Sequence, residues 1–136
     1  EGIYRFYDGK EFQRREDLTD EEISLFGVWG TSNENIYICG SHGMILHFDG
    51  TDWKPMPSGT EEYLLSIWGT SNSNIYAVGD NASMLHYDGE KWSPIKPVKD
   101  EYFTKVQGLG SDQVYVVGEN GTVIKYDGKE WSDMSI

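Results

Sequence analysis

A block of sequence that returns at a fixed interval constrains this chain more than any other feature. Trp29-Gly30-Thr31-Ser32 recurs as Trp68-Gly69-Thr70-Ser71, an offset of 39 residues. Tyr37, Tyr76 and Tyr115 keep the same offset, as do Gly40, Gly79 and Gly118, the Asp-Gly pairs at Asp49, Asp88 and Asp127, and Trp53, Trp92 and Trp131. Three full units follow one another. Tyr7-Asp8-Gly9-Lys10-Glu11-Phe12 matches Phe48-Asp49-Gly50-Thr51-Asp52-Trp53 at an offset of 41, so the chain opens in the second half of an earlier unit. A period of 20 to 50 residues is the signature of solenoids, propellers and arrays, in which one unit cannot bury its apolar face alone.

Each unit reads as four short strands divided by turn residues. In the first, Leu25 to Trp29 precedes a polar turn through Thr31-Ser32-Asn33-Glu34, then Ile36 to Cys39, a turn at Ser41-His42-Gly43, and Met44 to Phe48. Asp49-Gly50 supplies the last hairpin, since Gly accepts positive φ and Asp bonds its own backbone. Pro55, Pro57, Pro94 and Pro97 fall near the fourth strand, where an edge can spare an N–H. The second strands (Ile36–Cys39, Ile75–Val78, Val114–Val117) are apolar throughout rather than alternating, which predicts burial on both faces. Four-stranded sheets stacked in sequence describe β-propeller blades. The expected fold is therefore all-β, with blades at about 24–57, 63–97 and 102–136 and a half blade at 3–12. Four repeats of 39 residues exceed the 136 present, so the ring is expected to be incomplete, with further blades in a longer parent chain or a homo-oligomer covering the ends. Glu1 rather than Met opens the chain, which is expected to be processed or excised.

Composition narrows the function. Twenty-three Asp and Glu against 11 Lys and Arg leave a net charge of −12, which excludes a nucleic-acid partner that needs clustered basic residues. Five Trp, nine Tyr and five Phe supply enough area for a packed core. The single cysteine excludes a disulfide framework and a cysteine-built zinc site, and no apolar run approaches the roughly 20 residues of a membrane-spanning helix.

The stretches Trp68 to Ser71, Asn74 to Gly79 and His86 to Trp92 resemble the repeat of bacterial β-propeller proteins, many of them extracellular or surface-associated and without a known activity. A looser similarity extends to the Asp-box repeats of sialidases and to photosystem assembly-factor propellers. The resemblance implies a binding or scaffold module with a protein or glycan partner, no cofactor, and an extracellular, periplasmic or cell-surface location. Two other functions share the architecture: a glycosidase of sialidase type, and a membrane-complex assembly factor. Sialidases bind their substrate carboxylate with arginines, whereas this chain has only Arg5, Arg14 and Arg15, so no enzyme activity is expected.

Several residues invite chemical readings. His47 and His86 share a repeat position, but Lys125 replaces them in the third unit, which favours structural imidazoles bonded to a neighbouring strand or loop over a metal site. The Asp-Gly turns need only hairpin chemistry rather than calcium. Trp29 and Trp68, replaced by Gln107, read as packing between blades, and Cys39, aligned with Val78 and Val117, as a small apolar residue. Asn81-Ala82-Ser83 and Asn120-Gly121-Thr122 fit a glycosylation pattern yet read as turns. Acidic pairs precede each first strand: Glu21-Glu22, Glu61-Glu62 and Asp100-Glu101. Resemblance to a propeller implies that these six carboxylates lie on one face near the axis, where solvated loops kept acidic for solubility are the plainer reading and a binding rim for a cation or basic segment is the alternative.

Overall fold

A computed structural model describes residues 23–136, together with the strands Tyr4–Tyr7 (β1) and Phe12–Arg15 (β2). β1 and β2 pair as an antiparallel two-stranded sheet. Three four-stranded antiparallel sheets follow, each in simple sequence order. The first comprises β3 (Leu25–Ser32), β4 (Asn35–Gly40), β5 (Ile45–Phe48) and β6 (Trp53–Met56). The second comprises β7 (Leu64–Ser71), β8 (Asn74–Gly79), β9 (Met84–Tyr87) and β10 (Trp92–Pro94). The third comprises β11 (Phe103–Gly110), β12 (Gln113–Gly118), β13 (Val123–Tyr126) and β14 (Trp131–Asp133). β3 lies against β7 and β7 against β11, so the first strands line the inside of the array and the sheets stack face to face as propeller blades. Among the described residues no sheet closes on itself, and no helix is long and apolar enough to cross a membrane.

The Asp-Gly turns repeat to within a tenth of an ångström. Asp49 Oδ1 accepts the N–H groups of Thr51 and Asp52, Asp88 Oδ1 those of Glu90 and Lys91, and Asp127 Oδ1 those of Lys129 and Glu130, each at 2.9 Å. Those donated bonds hold all three carboxyls below the usual carboxylate range, and at Asp49 the Lys54 ammonium at 2.8 Å reinforces them. The following glycines adopt φ of 98°, 100° and 94°, the left-handed region that favours a residue without Cβ. In each turn Oδ1 is spent on the backbone, which is the hairpin role. Among the described residues no group of three or more His, Cys, Asp or Glu is arranged to hold a metal.

Two clusters form the core, one at each junction between blades. Tyr37, Cys39 and Ile45 of the first blade meet Leu64, Ile67, Ile75, Ala77, Leu85 and Trp92 of the second, with Trp29 packed alongside. Tyr76, Val78 and Met84 of the second meet Phe103, Val106, Val114, Val116 and Ile124 of the third, with Trp68 and Trp131 alongside. Trp29 and Trp68 thus serve as inter-blade packing. Cys39 is fully buried and desolvation pushes its thiol up to about 12, so it behaves as an apolar residue.

Burial of the second strands on both faces holds only for the middle blade, where Ile75, Tyr76, Ala77 and Val78 are all buried. In the third blade Val117 is 39% exposed, against 1% for its counterpart Val78. The reason is positional: the described residues place a blade on each side of β8 but on only one side of β12. The outward face of the third blade is also chemically altered. Gly27 and Ser66, which touch the next blade's inner strand, are matched there by the exposed Lys105, and Trp29 and Trp68 by the exposed Gln107.

Candidate functional site

The second turn of each blade folds back onto its own linker. Ser41, Asp80 and Glu119 donate their backbone N–H to the carbonyls of Ser24, Tyr63 and Tyr102 at 2.8 to 3.0 Å. Side chains add to this in all three blades, with Ser41 Oγ accepting the Ser24 N–H at 3.0 Å in the first. Asn81 Nδ2 donates to Glu62 Oε2 at 2.8 Å, and Asn120 Nδ2 to Glu101 Oε2 at 3.0 Å. Both asparagines sit at positive φ (50° and 53°), which short polar side chains tolerate. Their amides serve these turns, as the turn reading of Asn81 and Asn120 expects. Of the six acids of the candidate rim, Glu62 and Glu101 therefore anchor turns, Glu61 and Asp100 are exposed, and Glu21 and Glu22 lie outside the described residues.

The opposite ends of the blades carry a repeated polar relay. Asn35 Nδ2 donates to Thr31 Oγ1 at 2.7 Å while its Oδ1 lies 2.6 Å from His47 Nε2. Asn74 repeats this with Thr70 at 2.8 Å and His86 at 2.8 Å. Since each amide nitrogen is committed to a threonine, its oxygen faces the imidazole, Nε2–H is the donor and Nδ1 remains an acceptor. Desolvation holds both histidines below the ordinary imidazole range, so they are neutral at physiological pH. The structural reading of His47 and His86 fits this geometry. The third blade carries Leu109, Gln113 and Lys125 at these positions, and there Lys125 Nζ lies 5.9 Å from the Tyr115 ring centre instead.

The relays bear on two junctions that differ. Between the first and second blades, Asn35 Nδ2 also donates to Asn72 Oδ1, bridging one blade to the next. Between the second and third, the residue aligned with Asn72 is Ser111, and among the described residues the Asn74 side chain bonds Thr70 and His86 of its own blade and none across the gap. A groove of about 830 Å³ opens there. Its walls include Tyr76, His86, Asp112, Tyr126 and Trp131, and its rim the small residues Ser73 and Ser111. Trp131 meets Tyr126 at 5.0 Å between ring centres and Tyr76 edge-on at 5.9 Å, while Tyr76 lies 4.8 Å from His86. Burial raises the Tyr76 phenol, which stays a neutral hydroxyl. The groove is thus an aromatic trough with hydroxyl, imidazole and one carboxylate group on its walls, a composition suited to binding. Position 111 was absent from the sequence expectations. Its signal was available as a break in the aligned pair Asn72 and Ser111, but a serine in a turn carries no marker of function.

No protein-family model matches the chain, and a search of curated proteins finds no match. Solved structures do match in fold. YCF48 from Cyanidioschyzon merolae superposes with a TM-score of 0.69 at 18% identity over 86% of this chain and 38% of its own. A structure of YCF48 bound to D1 peptide superposes with a TM-score of 0.66 at 19% identity over 82% of this chain and 40% of its own. The chain spans about two-fifths of the length of these structures, and at this identity the likeness establishes a propeller fold.

Proposed function

We propose that this chain is a non-catalytic propeller module that binds a segment of a partner protein, held in the groove between its second and third blades. The observation that carries this reading is the open, aromatic-walled groove at one junction, where at the neighbouring junction the Asn35–Asn72 hydrogen bond spans the blades and Trp92, the counterpart of Trp131, is buried. The fold likeness to a propeller solved with a peptide bound supports a protein partner over a glycan. The groove lining contains a single carboxylate, Asp112, and no arginine. A glycosidase uses two carboxylates set across a sugar, and a sialidase adds arginines, so the trough lacks the parts for hydrolysis.

A capped-peptide array read by fluorescence, followed by NMR of the Trp131 indole N–H with each hit, tests the proposal. The expected result is a set of peptides that shift the Trp131 resonance, with no turnover of fluorogenic sialosides or glycosides. Peptide hits that leave Trp131 unmoved, or glycoside turnover lost on replacing one carboxylate, would overturn it.

A further inference from the structure

The reading of the groove as a segment-binding site leaves open which side chain of the segment it selects, and its walls are chemically one-sided. The acidic side chain among them is that of Asp112, and neither Lys nor Arg contributes. His86, with Nε2–H committed to Asn74, offers Nδ1 only as an acceptor. Tyr126 and Trp131 contribute π faces whose quadrupoles favour positive charge, and both are only half-buried, so part of each ring remains accessible to a ligand, while Tyr76 is buried behind them. The chain as a whole carries −12, which draws basic segments toward it and repels acidic ones.

Resting on that reading, we propose that the groove takes a cationic side chain, an arginine guanidinium, from a basic partner segment. A guanidinium matches the trough in both respects. Its flat face stacks on indole and phenol rings, and its N–H fork donates to a carboxylate and to neutral acceptors in one plane. Lysine offers the charge without the plane and is the weaker ligand. The junction between the first and second blades lacks this option, because the Asn35–Asn72 bridge crosses it and Trp92, the counterpart of Trp131, is 7% exposed.

Three capped hexapeptides alternating glycine with arginine, with citrulline or with glutamate provide the probe, citrulline being the neutral isostere of arginine. Binding is read at the Trp131 indole N–H by NMR at low salt, on the parent chain, on Asp112→Asn and on Ser111→Asn, which installs the residue that bridges the other junction. The arginine peptide is expected to shift Trp131 and to bind about tenfold more tightly than the citrulline peptide, the scale of one charge-assisted hydrogen bond. Asp112→Asn should erase most of that preference, Ser111→Asn should weaken the arginine peptide severalfold, and added salt should weaken it further. Equal shifts from arginine and citrulline peptides, or a stronger one from the glutamate peptide, would overturn cation selection while leaving a segment-binding groove. No shift at Trp131 from any of the three would overturn the groove as the binding site altogether.

Discussion

The two junctions between blades use aligned residues to opposite ends. At the first, an amide bridge between Asn35 and Asn72 crosses the gap, Trp92 is buried where its counterpart Trp131 is half-buried, and β3 approaches β7 so closely that a Cβ on Gly27 would stand 3.1 Å from the Ile67 nitrogen and the Ser66 Cα. At the second, Ser66 takes the place of Gly27 and mediates the contact between inner strands, its Oγ accepting the Val106 N–H at 3.1 Å. The outer part of that junction then parts around Ser111 into the groove. Sealing has a cost: the indole Nε1 of Trp92 is buried without a hydrogen-bond partner, the kind of unmet donor that a wet, open groove avoids. In a repeat array every junction begins from the same design, and here the exchanges of Gly27 for Ser66 and of Asn72 for Ser111 accompany the change from a bridged interface to an open groove.

The comparison breaks most visibly at the tryptophans. Trp92→Ala removes a side chain enclosed on all sides and is expected to cost about 3 to 5 kcal/mol, against about 2 for the half-buried Trp131→Ala, as measured by urea unfolding. Equal losses would mean that the second junction is as closely packed as the first. Next in size is Ser66→Ala, which takes the acceptor from a buried backbone N–H and should cost about 1 to 2 kcal/mol in the same assay, with no counterpart at Gly27. Exchanging the bridge comes third. Asn72→Ser should lower stability and Ser111→Asn raise it, each by about 0.5 to 1 kcal/mol in thermal unfolding, and Ser111→Asn should slow exchange of amides beside the groove.

The smallest effect is a pH dependence shared by the two relays. His47 and His86 are held below the ordinary imidazole range by desolvation, so the unfolded chain takes up their protons more readily than the folded one. Their contribution is complete above the unfolded pKa of about 6.5 and is lost as pH falls from there through the folded value. Urea midpoints should therefore decline between pH 7.5 and 5.5, and the decline should shrink in a His47→Gln, His86→Gln double variant. The turn carboxylates Asp49, Asp88 and Asp127 are depressed instead, so their contribution is lost only below about pH 4, outside that window.

Much of this was legible before any coordinates, for a local reason. The alternation of short apolar runs with Asp-Gly and Asn turns at a strict 39-residue interval admits few structures besides stacked four-stranded blades, and the roles of Cys39, Trp29, Trp68 and the Asp-Gly pairs follow from their alignment alone. The candidate site was less legible. The acidic pairs stood out because charge is conspicuous in a string of letters, yet Glu62 and Glu101 spend an oxygen each on turn asparagines. The partners of His47 and His86 were unforeseen because Asn35 and Asn74 lie twelve residues away on the neighbouring strand, diagonal to the histidines, which pair directly with Tyr37 and Tyr76.

By itself, then, the sequence determined the unit: its four strands, its turns and the order in which blades follow one another, because these depend on side-chain alternation and backbone preferences within a few residues. Only the tertiary structure decided what each junction became. Whether Asn72 reaches its partner, and whether Ser111 leaves space for a ligand, depends on distances of an ångström or two between residues 37 positions apart in the chain, and no local pattern encodes those distances.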